Sequence, residues 1–462
     1  MGIVLPTLKL HPDPCPSNSE ARKSKSCGAY ETNRVYQTGS SAYRCLVRII
    51  IKILLIFASQ PILRAQGPLN FWDRAPIRYS ATPATDRLAK MTADLESGAA
   101  KYEGTGGLDR LRFVLKTLDV PPDSQVLVFS KTSLQNPLIG PSNPRALFFS
   151  ENAYVGYVPG GAIEVIVQDP VLGPVFYVVD AGAKGEPRIE RDTNQCMTCH
   201  ATARTENVPG VMIRSVFADE GGHPLLHLGT TDVTHSTPLA GRWGGWHVTG
   251  RSALPHLGNR TFTEDGELSR QPADMDDLNG VFDLAKYPRP TSDIVALLVL
   301  EHQCQMLNLL NAASLNYRRS RHFSQIFDPD ADPDNRSAGG IAESWAKTIT
   351  EGIFFKDEAD LDEGVEGDPV FQKAFAARFP KTKSGKSLAD FRLYGRIFKH
   401  RCSYMVYSDA FRHLPAVVKS RVFTRMRAAL AGDDPEIGWL SSSERKKIAA
   451  ILDETLPEWK EE

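Results

Sequence analysis

The chain has 462 residues, 42% of them hydrophobic and 24% charged, with 54 basic side chains against 55 acidic ones. This is the composition of a globular protein, and it excludes a collagen-like, low-complexity or wholly disordered chain. A net charge of −1 gives no extended field of either sign, so neither nucleic acid nor an anionic membrane is expected as a partner.

Residues 1–46 carry Ser, Pro, Lys and Arg with no apolar period and three isolated thiols, Cys15, Cys27 and Cys45. They are expected to be a disordered or non-native leader, with the true start near Val47. Residues 47–65 have the layout of a secretory signal: basic Arg48 and Lys52, an apolar body ending at Ala58, and a small-residue exit at Leu63-Arg64-Ala65. That body is too short to span a bilayer. No stable transmembrane span is expected after cleavage, and the mature protein is expected in the periplasm or otherwise exported.

Residues 66–185 read as helices followed by an antiparallel sheet. Leu88, Met91 and Leu95 set a helical period over 84–100, and Leu108, Leu111, Val114, Leu115 and Leu118 set one over 108–119. Short apolar runs then begin at Val126, Ala146, Ile163 and Val175, separated by Pro and Gly, as strands joined by tight turns are. Residues 291–462 are expected to be helical: one helix starts after Thr291-Ser292-Asp293 and runs from Ile294 through Tyr317. Another opens at the capping box Ser441–Glu444. Between them, the aspartates of 328–334 depart from a calcium loop, with Pro333 where Gly is needed and Gly339 where the bidentate Glu belongs, so a solvated linker is expected. The fold class is therefore α+β, with a β-rich N-terminal part and a helical C-terminal part around a loop-rich central segment, 186–290.

That segment holds Cys196-Met197-Thr198-Cys199-His200, the attachment signature of a c-type haem. On one helical turn both thiols can form thioethers with haem vinyl groups while His200 reaches the iron as proximal ligand. Zinc would require a second ligand pair, and no second CxxC occurs. A redox dithiol would follow a strand in a βαβ unit, whereas Cys196 follows a Pro-, Gly- and charge-rich stretch. The expected cofactor is thus one covalent haem c with its iron. Cys304 and Cys402 either pair or are separately buried thiols.

The sixth iron position decides between electron carriage and ligand chemistry. Candidates are Met212, His235, His247, His256, His302 and Met306; His256, in a Pro- and Gly-bearing loop, is the preferred histidine. His302 lies between Glu301 and Gln303 on an otherwise apolar helix, where a buried hydrogen-bond network is the favoured reading. Arg214, Arg242 and Arg251 are candidate partners of the haem propionates, and Trp243 and Trp246 candidate covers of its edge.

The runs Val128–Gln135, Pro144–Phe149 and Val155–Gly160, together with the haem motif, Arg242–Trp246, Val248–Gly250 and Leu300–Gln303, resemble a family of large exported bacterial proteins, cytochrome c-like with a single haem. The likeness covers most of residues 75–456. It implies covalent haem and export and supplies no substrate. Where that family suggests His-Met-Gly-Asn, this chain has His256-Leu257-Gly258-Asn259; were that methionine the sixth iron ligand in relatives, Leu257 could not take its role here. The expected function is one-electron transfer with protein or small-molecule redox partners. The alternatives are a peroxidase or oxidase with an open iron position and a haem-based ligand sensor.

Overall fold

A computed structural model describes residues 70–461 apart from 181, 183–184, 271–274, 331, 333 and 335, so the leader and the expected signal lie outside the described residues. Between Val126 and Asp192 β-branched and aromatic residues favour extended backbone, and Pro and Gly turn it back on itself. Six strands result: β1 (Val126–Val128), β2 (Arg145–Ser150), β3 (Ala153–Tyr157), β4 (Ile163–Asp169), β5 (Gly173–Val179) and β6 (Ile189–Asp192). Each is antiparallel to the next, and the short strand Trp246–His247 extends the sheet beyond β1.

Register sorts the side chains. Val126, Leu147, Gly156 and Glu164 stand in one cross-strand row, and Phe149, Tyr154, Ile166 and Phe176 in another on the same face. Leu127, Ala146, Phe148, Val155, Val165 and Tyr177 mostly serve the opposite face, where they form one core with helices α1 (Arg87–Glu96) and α2 (Gly107–Thr117). Asp86 caps α1 by accepting hydrogen bonds from the amides of Leu88 and Ala89.

The first face packs on helix α4 (Ile294–Phe327), which follows the single-turn α3 (Met197–His200) and the loop region. Asp293 caps α4 through the amide of Ala296. The helix runs ten residues past the expected end at Tyr317, because no breaker occurs until Asp328-Pro329 even though the apolar period has faded. Helices α5 (Arg336–Ile353), α6 (Pro369–Ala377), α7 (Ala416–Ala431) and α8 (Ser442–Thr455) complete the second core, with Ser441 capping α8 through the amide of Glu444. The architecture is mixed α+β, sheet first and helices concentrated in the C-terminal half. Among the described residues no helix is long and apolar enough to cross a membrane.

Candidate functional site

Asp192 starts the haem-motif turn by accepting hydrogen bonds from the amides of Asn194 and Cys196, both at 3.0 Å. The amides of Cys199 and His200 then return to the carbonyl of Cys196. This turn is α3, and it sets the two thiols and the imidazole together on the wall of one cavity.

His200 is held from below. The amide of Gly210 donates to the carbonyl of His200 at 2.8 Å, and His200 Nδ1 donates back to the carbonyl of Gly210 at 2.9 Å. A carbonyl can only accept, so Nδ1 carries the proton and Nε2 keeps its lone pair for a metal. Burial pushes the imidazole pKa down, which keeps the ring neutral as ligation requires. Gly210 is itself fixed through its neighbour: Asn308 on α4 accepts from the Val211 amide at 2.9 Å and donates to the Val211 carbonyl at 2.7 Å. A Cβ on Gly210 would lie 2.5 Å from that Asn308 oxygen, so only glycine permits the approach. The long helix thus orients the imidazole through Asn308, Val211 and Gly210.

The two thiols differ. Cys196 is half-buried, and desolvation with Asp192 and Glu164 nearby pushes its pKa up to about 12; Cys199 is exposed. A protonated Cys196 is unsuited to dithiol exchange, which needs a thiolate.

The cavity beside them measures about 180 Å³ and lies between the first sheet face, the 195–200 turn, the 211–214 segment and α4. Val128, Leu147, Ile166, Phe176, Trp246 and Leu300 give it an apolar lining. Its polar groups include Thr132, Tyr154, Gln195, Arg214 and the ion pair Arg145–Glu164, in which Glu164 also accepts from Ser133 Oγ at 3.1 Å. The volume is below the roughly 300–1,000 Å³ usual for a site that encloses its ligand. A porphyrin seated here would therefore lie partly at the surface, beside exposed Cys199. By the chemistry of its donors the site fits haem c: two thiols and a ligand-ready imidazole on one turn against an apolar slot. Among the described residues no three His, Cys, Asp or Glu side chains converge as a metal cage.

No protein-family model, curated protein or solved structure matches this chain.

Of the six candidates for the sixth iron position, Met212 lines the cavity and the other five do not. His256 stands elsewhere: its Nδ1 accepts from the Gly258 amide at 3.0 Å and its ring meets Trp243 edge-on at 5.0 Å. The amides of Leu257 and Asn259 bond the carbonyls of Arg242 and Trp246, which ties this loop to the 242–248 segment instead of the cavity mouth. His247 is buried against Phe129 and donates to the Pro141 carbonyl, and Met306 is fully buried in the helical core. Among the arginines, Arg214 lines the cavity, Arg251 pairs with Asp276 at the surface, and Arg242 is buried on Glu301. Trp246 lines the cavity, and Trp243 does not.

Glu301, His302 and Gln303 of α4 form a closed network. Glu301 accepts from Arg242 at 2.5 Å and from Trp243 Nε1 at 2.7 Å, both partners being almost fully buried. His302 Nδ1 lies 3.0 Å from His235 Nδ1, and its Nε2 lies 2.7 Å from Ser403 Oγ. Because His235 Nε2 bonds the Lys356 carbonyl at 3.0 Å, it carries the proton, His302 Nδ1 donates to His235, and Ser403 donates to His302. Gln303 bonds Ser150, Tyr154 and Tyr404. Cys304 and Cys402 are separate buried thiols, the first on the cavity wall and the second in the helical core.

Proposed function

We propose that the protein is an exported haem c protein in which Cys196 and Cys199 hold the porphyrin, His200 is the proximal iron ligand, and the haem exchanges single electrons with redox partners. The observation that carries this is the hydrogen bond from His200 Nδ1 to the Gly210 carbonyl, because it leaves Nε2 unprotonated beside both thiols at an apolar slot. When bound, haem supplies a one-electron couple at iron. The chain's part is to orient the imidazole through Asn308 and Gly210, to keep water from one side of the ring with Leu147, Ile166 and Trp246, and to leave the Cys199 edge open to a partner. Acid-acetone treatment of the purified protein tests it. The porphyrin stays with the polypeptide, and Cys196→Ser with Cys199→Ser abolishes the attachment; extraction of the porphyrin from the wild type would refute the proposal.

One observation favours a second reading, a haem with an open position that binds a small ligand. Among the described residues lining the cavity His200 is the only histidine, and Met212 follows by two residues the carbonyl that holds the proximal imidazole. Carbon monoxide on the ferrous protein separates the two: rapid binding supports the open position, and slow or absent binding with reversible reduction supports the carrier.

A further inference from the structure

We propose that Tyr154 is the hydrogen-bond donor to a small ligand held in this cavity, dioxygen or a small anion, across the sheet floor from His200. The inference deepens the second reading above, in which the haem keeps an open position, and rests on it.

Tyr154, Ile166 and Phe176 stand in one cross-strand row on β3, β4 and β5. The His200 imidazole packs on Phe176, with ring centroids 5.1 Å apart. The phenol therefore rises from the same floor two strand spacings away, about 10 Å, with Ile166 between them. All four side chains line the cavity.

Gln303 of α4 fixes the phenol and decides which way its proton goes. The Gln303 Nε2 donates to the Ser150 carbonyl at 2.8 Å and to the Tyr154 hydroxyl at 2.9 Å, and its Oε1 accepts from the Tyr404 hydroxyl at 3.1 Å. A carbonyl cannot donate, so the amide cannot be turned over, and towards Gln303 the Tyr154 oxygen is an acceptor. The Tyr154 proton is thus left for another partner. Cys304 also stands beside the phenol, but a thiol is only a weak acceptor. Burial pushes the phenol pKa well above its usual value, so the hydroxyl holds that proton. One bond fixes the oxygen in place and a donor remains for the cavity, where the apolar Leu147, Ile166 and Leu300 strengthen any hydrogen bond made.

Two ligands of the purified haem-bearing protein test this: fluoride on the ferric form, a hydrogen-bond acceptor, and carbon monoxide on the ferrous form, a poor one. Tyr154→Phe keeps the ring and removes one oxygen. It raises the fluoride Kd at least tenfold, as the loss of a hydrogen bond to a charged acceptor requires, and changes carbon monoxide affinity less than about threefold. Gln303→Leu, which releases the phenol, gives a smaller rise in the same direction. In the wild type the iron–fluoride stretching frequency shifts between ordinary and heavy water, and in Tyr154→Phe it does not. A wild type that binds no fluoride, or whose fluoride stretch does not shift, would overturn the inference and leave covalent haem standing. So would a Tyr154→Phe variant that keeps its fluoride affinity or loses affinity for both ligands alike. Wild-type protein purified without covalent haem would refute both.

Discussion

Two places in this molecule carry the same chemical vocabulary, and they differ in whether its valences are filled. The network on α4 holds Glu301, His302, Gln303, Arg242 and His235 with a partner for each group, and these side chains are at most 1% exposed. The cavity beside α3 holds His200, Arg145, Glu164 and two thiols, and there Nε2 of His200 is free for a metal and Nε of Arg145 has no acceptor. Residue type therefore does not separate the two places; the partners that each group finds do.

Removing one charge from each place is the strongest way to break this comparison. Glu301→Leu leaves Arg242 buried and uncompensated, and the expected loss of folding stability is roughly 3–5 kcal/mol, measured by urea unfolding. A loss below about 1 kcal/mol would mean that the network is not closed. A smaller effect belongs to pH. Burial pushes the His235 pKa down to about 4, so the folded state resists a proton that the unfolded state takes up below about 6.5. Stability from this group is complete above 6.5 and declines as pH falls toward 4, by about 1.5 kcal/mol between pH 6.5 and 5. Asp293 and Glu358, whose pKa values burial raises to about 7, act with the opposite sign, so the wild type must be compared with His235→Gln across the same range. The stability gap between the two should narrow on acidification, and a constant gap would refute the assignment. The smallest effect is expected at the cavity, where Glu164→Gln changes stability by about 1 kcal/mol, because Gln keeps an acceptor oxygen for Arg145 and Ser133 and the pair, about one-fifth exposed, keeps some contact with water. A loss as large as that of Glu301→Leu would show that the cavity pair is structural too.

Much of the fold was legible because its signals are local. The apolar runs at Val126, Ala146, Ile163 and Val175 are β1, β2, β4 and β5, and Asp293 and Ser441 cap the helices they precede. Three strands carry weaker signals. The run of β3 is interrupted by Gly156, β6 reads Ile189-Glu190-Arg191-Asp192, and Trp246–His247 is two residues long and paired with β1 more than a hundred positions earlier. In the candidate site the turn of Cys196, Cys199 and His200 is a sequence feature. Asn308, Arg145, Glu164 and Gly156 had no local pattern to mark them, because they meet α3 only after the strands register and α4 docks. A Gly- and Pro-bearing loop made His256 the preferred histidine for the sixth iron position, yet the bonds of that loop are to Arg242 and Trp246.

The sequence by itself determined what depends on neighbours along the chain: the spacing of two thiols and an imidazole, the alternation of the strands, and the caps of the helices. Such features act over a few residues, through helical periodicity, β-propensity and side-chain bonds to nearby amides. The tertiary structure alone decided which polar groups are satisfied and which face a cavity. Desolvation and hydrogen-bond closure are set by partners such as Arg242 with Glu301, 59 positions apart, or Asn308 with Val211, 97 positions apart. No short-range pattern encodes those contacts, because they are formed by the packing of α4 and the sheet.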